Sequence, residues 1–128
     1  MAIYDNLPVY KASYDLLLEV HKMNINLTRE YRYTIGEKLK TELMDLMVAI
    51  YKANSTDEHE KERCQRIANQ HIVVVKLYMR LLHDLGQIKL VRFVALNEKA
   101  ESISKQITAW HKSTVGKFSK KMQEEMKQ

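Results

Sequence analysis

The sequence predicts an all-α fold, an antiparallel up-down-up-down four-helix bundle, and three observations carry that prediction. Three glycines and one proline among 128 residues leave little material for the tight turns of a β-rich fold. Leu, Lys, Glu, Met and Ala, good helix formers, dominate instead. Four stretches repeat apolar residues at spacings of three and four, and short polar connections between them make consecutive helices antiparallel neighbours. The length suits one domain over residues 1–128 with a single core.

The first helix is expected over about residues 8–27. Pro8, with its fixed φ and no N–H, suits a first helical turn, and Val9, Ala12, Leu16, Val20, Met23 and Leu27 then fall on one face. Asn26 to Tyr33 reads as a short polar turn. The second helix is expected over 34–53, opened by Thr34 and Glu37 at capping-box spacing. Leu39, Leu43, Leu46 and Ile50 form its stripe, and Met44, Met47, Val48 and Tyr51 widen it beyond a single contact. Asn54-Ser55-Thr56-Asp57 breaks the chain, with Ser55 or Thr56 offering the next N-cap.

The third helix, 57–85, carries a heptad seam of Cys64, Ile67, His71, Val74, Tyr78, Leu81 and Leu85. Ile72-Val73-Val74-Val75 alone would suit a strand. Each β-branched residue costs a helix only about 0.5 kcal/mol, whereas each buried seam side chain contributes roughly 1.5 to 3 kcal/mol, so helix wins. Gly86 is the expected stop. Ala68, Ile72, Val75, Met79 and Leu82 form a second apolar row. Together with Met44, Val48 and Tyr51 of the second helix, this surplus row predicts an interface with further copies of the chain. The fourth helix, 89–115, has Phe93, Leu96, Ala100, Ile103, Ile107 and Trp110 on its seam. Gly116 is a natural stop, but Val115, Phe118, Met122 and Met126 keep an amphipathic spacing that carries helix into the lysine-rich tail, 116–128.

Residue chemistry points away from catalysis. No Glu has a His three residues later, so the di-iron pattern of four-helix bundles is missing. The five histidines lack metalloprotease spacing. Cys64, the only cysteine, lies mid-helix, where it reads as a small buried hydrophobe with no cause for a depressed pKa. Nucleophile elbows, phosphate loops and dinucleotide fingerprints are absent, and no metal or cofactor is expected. No apolar run reaches 18 residues, and the N-terminus has no signal-peptide run, so a soluble cytoplasmic protein is expected.

Charge points to binding. Residues 1–60 hold 7 Lys and Arg against 10 Asp and Glu, while residues 61–128 hold 14 against 6. A basic half attracts phosphate backbones through counterion release, although surplus lysine on a solvated helix face is the plainer reading of the same charge. Lys76, Arg80, His83, Lys89, Arg92, Lys99, Lys105 and Lys112 occupy outward positions of the last two helices and predict a basic stripe. Arg29 and Arg32 with Tyr31 and Tyr33 make a second, aromatic cluster suited to stacking on single strands. Tyr33 stands where a hydrophobic staple belongs, while Tyr31 is open to either role, a packed hairpin corner or a ligand contact.

Leu7-Pro8-Val9-Tyr10-Lys11, Glu30-x-x-Tyr33 and Ile35-Gly36-Glu37-x-Leu39, with an apolar helix to Asn54, resemble the four-helix-bundle family encoded in intervening sequences of bacterial 23S ribosomal RNA genes. The chain departs from that branch. No Pro precedes Glu30, and Leu46-Met47-Val48-Ala49-Ile50-Tyr51-Lys52-Ala53-Asn54 replaces the usual Ser-Ile-x-x-Asn-Ile-Ala-Glu-Gly ending. Tyr31-Arg32-Tyr33-Thr34-Ile35-Gly36-Glu37-Lys38-Leu39-Lys40, Leu77-Tyr78-Met79-Arg80-Leu81-Leu82-x-Asp84-Leu85 and Ser102-x-Ser104-Lys105-Gln106-x-x-x-Trp110 are more similar to the sister branch, the accessory variability proteins of diversity-generating retroelements. That resemblance implies a basic, barrel-like homopentamer of four-helix bundles. It also implies binding to a reverse transcriptase and to RNA or DNA in mutagenic cDNA synthesis, without chemistry of its own. A structural or protein-interaction module of the intervening-sequence type is the alternative.

Overall fold

The computed structural model describes residues 7–127, and the first six residues and Gln128 lie outside the described region. Five helices follow one another: α1 (Pro8–Asn24), α2 (Arg29–Arg32), α3 (Ile35–Asn54), α4 (Glu58–Asp84) and α5 (Leu90–Met126). The described residues contain no strand. The long helices form a bundle in which α1 and α4 each pack against both α3 and α5. Hydrogen bonds run across it between Glu42 and His71, Lys76 and Glu101, and Glu62 and His111.

The apolar stripes of α1, α3 and α5 become the core as expected. Leu16, Val20, Met23, Leu39, Leu43, Leu46, Ile50, Leu96, Ala100, Ile103 and Ile107 are buried, and Phe93 and Trp110 pack against them half-buried. On α4 the two rows exchange roles. Ala68, Ile72, Val75 and Met79, expected at an interface between copies, are fully buried inside the protomer together with Leu82. Of the expected seam, only Cys64 is buried, while Leu81 and Leu85 are exposed. Both rows have helical spacing, so spacing alone does not rank them. From Ala68 to Leu82 the row without hydrogen-bonding side chains takes the centre, with Gln65 one turn earlier buried alongside it, and the row carrying His71 and Tyr78 sits at the rim, where their polar ends can be satisfied.

Several boundaries also shift. α1 ends at Asn24, three residues before the expected limit, yet Leu27 remains in the core. Within the expected turn, Arg29–Arg32 forms one helical turn. The Thr34 capping box does not form, because its hydroxyl donates to the Glu30 carbonyl at 2.8 Å and Glu37 pairs instead with Lys40 at 3.0 Å. For α4 the cap is Asp57, which accepts from the Glu60 N–H at 3.0 Å, in place of Ser55 or Thr56. Gly86, at φ +74°, ends α4 as expected. The Gly86 N–H reaches the His83 carbonyl and the Gln87 N–H the Leu82 carbonyl, each at 2.9 Å, the two bonds of a Schellman motif. Gly116 does not stop α5, which runs on to Met126.

Candidate nucleic-acid interface

The basic residues singled out by sequence separate into three groups. Lys99, Lys105 and Lys112 stand exposed on α5 and form no ion pair among the described residues. Arg80 lies 3.7 Å from Asp84 one turn on, with both side chains largely exposed. Lys76, nearer the α4–α5 seam, is held by Glu101 at 3.1 Å. The Arg92 guanidinium turns toward α1, 3.5 Å from the Glu19 carbonyl and 4.0 Å from its carboxylate. The expected single stripe is therefore interrupted. His83 also turns inward, its Nδ1 donating to the Ile88 carbonyl at 3.0 Å while its ring stacks on Phe93.

Lys89 is the N-cap residue of α5, and no acidic side chain occupies the first turn that follows. Lys89 and Arg92 line a cavity of about 360 Å³ with Met23, Asn26, Gln87 and Ile88. The cavity is fixed from the other side by Gln87, whose Oε1 accepts from the Thr28 N–H at 3.0 Å. The N-terminus of α5, with Lys89 at its N-cap and Arg92 in its first turn, thus borders one hollow.

The aromatic cluster is reversed relative to expectation. Tyr31 packs half-buried against the core, while Tyr33 is 63% exposed. One turn of α2 places Tyr31 on its inner side, which a straight polar loop would not have done. Arg32 works inward as well, donating to the carbonyls of Ile25 at 3.0 Å and Leu27 at 3.1 Å. These carbonyls follow the end of α1, so the guanidinium serves the fold. Arg29 stays exposed beside it.

Sequence patterns did not reveal the interhelical acid–base pairs. The His71 Nδ1 donates to Glu42 at 2.6 Å, and the His111 Nε2 donates to Glu62 at 2.7 Å. Arg66 approaches the same Glu62 oxygen at 2.7 Å. Hydrogen bonds from His111 and Arg66 hold the Glu62 carboxyl below its ordinary pKa. Burial, reinforced by the nearby Glu60, pushes the Cys64 thiol up, and its Sγ lies 3.8 Å from Glu60. A cleft of about 260 Å³ between α3 and α4 runs past Cys64, His71, Asp45 and Lys52, but the thiol there is a poor nucleophile. Among the described residues, no three His, Cys, Asp or Glu side chains are arranged to hold a metal ion. No described helix is long and apolar enough to cross a membrane.

Exposed apolar residues form the remaining surface feature. Met44, Val48 and Tyr51 lie exposed on α3. On α4, Val73, Leu77 and Leu81 recur every fourth residue, and Leu77 is 63% exposed. Neither models of known protein families nor curated proteins match the chain.

Proposed function

We propose that this protein is a non-catalytic nucleic-acid-binding accessory subunit, a cytoplasmic up-down-up-down bundle that works beside a retroelement reverse transcriptase. The observation that carries the binding part is the set of α5 lysines, Lys99, Lys105 and Lys112, exposed and without carboxylate partners among the described residues. Lysines left unneutralised at a surface can release condensed counterions from a phosphate backbone. Lys89, Arg92, Arg80 and Arg29 add positive charge at the end of the bundle where α5 begins and along the adjoining α4. The reverse transcriptase as partner, and the count of five subunits, rest on the resemblance to the accessory variability proteins alone.

Exposed apolar rows on α3 and α4 support association of the chain with itself or with a second protein. The interface reading therefore keeps Met44, Val48 and Tyr51 and replaces the buried α4 row by Val73, Leu77 and Leu81.

The deciding experiment measures binding of RNA and DNA oligonucleotides across a series of salt concentrations. Binding that weakens steeply as salt rises is expected. Undetectable binding at low salt, or affinity indifferent to salt, overturns the nucleic-acid reading and leaves the protein-interaction module.

A further inference from the structure

We infer that the outward face of α5 is a rail for the phosphate backbone of double-stranded nucleic acid, an inference that rests on the nucleic-acid reading above. Between Glu101 and Glu124 the chain carries five lysines and no acidic residue. Lys105, Lys112 and Lys120 follow at intervals of seven and eight, and Lys127 follows seven further on at the helix C-cap. At 3.6 residues per turn these four fall within roughly a quarter of the helix circumference, and at 1.5 Å per residue the line is about 33 Å long. All four are exposed. The buried row of Leu96, Ala100, Ile103 and Ile107 holds the opposite side of the helix against the core.

What lies between these lysines selects the ligand. Between Lys105 and Lys120, Ala109, Ser113, Gly116 and Ser119 are exposed and small, so a backbone can approach the helix closely over that part of the line. The face bears no aromatic side chain. Trp110 packs half-buried against the core, and Phe118 meets the His59 ring edge-on, with centroids 4.6 Å apart. Single strands are held without sequence readout chiefly by stacking bases on aromatic rings, which this face cannot supply. A straight row of cations suits a stiff rod of closely spaced phosphates. A duplex carries one charge per about 1.7 Å of axis and releases more counterion per contact than a single strand.

The test uses the full chain and fluorescently labelled oligonucleotides of about 20 base pairs, roughly two turns of duplex. Duplex RNA, RNA–DNA hybrid, duplex DNA and single strands of equal phosphate number are titrated from about 50 to 200 mM salt. All three duplexes are expected to bind about tenfold or more tightly than the single strands, because their charge density is higher. Lys105→Gln, Lys112→Gln and Lys120→Gln combined should lower the log–log salt slope for duplex by about 3. The same change at Lys11, Lys38 and Lys52, exposed lysines of the other half, should leave it within about 1. Single strands binding as tightly as duplex, or both triple variants weakening alike, overturn the rail while leaving nucleic-acid binding in place. No binding to any oligonucleotide at low salt overturns both.

Discussion

The side-chain amide of Asn24 donates to the carbonyl oxygen of Gly36 across 3.0 Å, joining the last residue of α1 to the first turn of α3. Both residues are buried, and a Cβ on residue 36 would lie 3.0 Å from the Asn24 Nδ2 and 3.2 Å from its Cγ. Asn24 cannot swing aside without losing its hydrogen bond. Gly36→Ala should therefore destabilise the fold by about 1 to 3 kcal/mol, the usual cost of overpacking. At Gly116, inside exposed helix, an added Cβ meets nothing within 4 Å. There Ala should stabilise by about 0.5 to 1 kcal/mol through helix propensity. Urea unfolding of the two variants checks the opposite signs.

How much of this was legible in the sequence follows from what spacing encodes. Leu39, Leu43, Leu46 and Ile50 could be placed in the core because a single stripe has one inward solution. α4 offered two rows, and spacing does not say which one faces in. Polar content helps over most of the helix, since Ala68, Ile72, Val75 and Met79 carry nothing that needs a partner, but it fails at Gln65, which is buried with them. Gly86 was readable because a positive φ demands it. The Thr34 cap was not, because the hydroxyl had a nearer acceptor in Glu30, supplied by a helical turn too short to leave a periodic signal. On α5, regular lysine spacing was visible in sequence, but whether each cation was free or paired depended on neighbours such as Glu19 and Glu101 from other parts of the chain.

Gln65 is fully buried on α4, and among the described residues neither its amide oxygen nor its nitrogen has a hydrogen-bond partner. The buried hydroxyls, by contrast, are satisfied locally, Ser13 by the Val9 carbonyl and Thr114 by that of Trp110. An unpaired buried amide costs about 1 to 3 kcal/mol. Gln65→Met, close in shape and without hydrogen-bonding groups, should raise stability by a comparable amount in chemical denaturation. A loss of stability would show that the amide is bonded after all.

Glu62 connects pH to stability. Its folded pKa lies below the unfolded value because His111 and Arg66 stabilise the carboxylate. The contribution is thus fully present above the unfolded pKa, about 4.3, and disappears as pH falls through the lower folded value. Glu62→Gln should reduce stability at pH 7 by under about 1 kcal/mol, since the group is partly exposed. Thermal unfolding near pH 3, about a unit below that unfolded value, should show the two proteins converging. A gap that stays constant across this range would assign the loss to packing rather than to charge.

Cys64 offers a chemical test of the α3–α4 cleft. Burial raises its pKa, and the adjacent Glu60 adds to that rise. The thiolate is the reactive form, so alkylation by iodoacetamide at mildly alkaline pH should run at least about tenfold slower in the folded protein than in urea. Removing the negative neighbour with Glu60→Gln should speed the folded-state reaction. Fast labelling of the unaltered folded chain would mean that the cleft opens to admit the reagent.

The orientation of α4 makes two apolar side chains, two residues apart, behave oppositely. Met79 is fully buried and Leu77 is exposed, although both are apolar and both lie within the same two turns of helix. Met79→Ala removes core volume and should cost about 2 to 5 kcal/mol. Leu77→Gln removes no core contact and should leave the stability of the protomer within about 0.5 kcal/mol. Light scattering reads the complementary effect. If Val73, Leu77 and Leu81 meet another copy, Leu77→Gln lowers the average mass at micromolar concentration, while Met79→Ala changes it only under conditions that also unfold the chain. Had the seam through Leu81 and Leu85 been the core, Met79 would face outward and Met79→Ala would cost little, so a urea titration of that variant decides which face of α4 is inside.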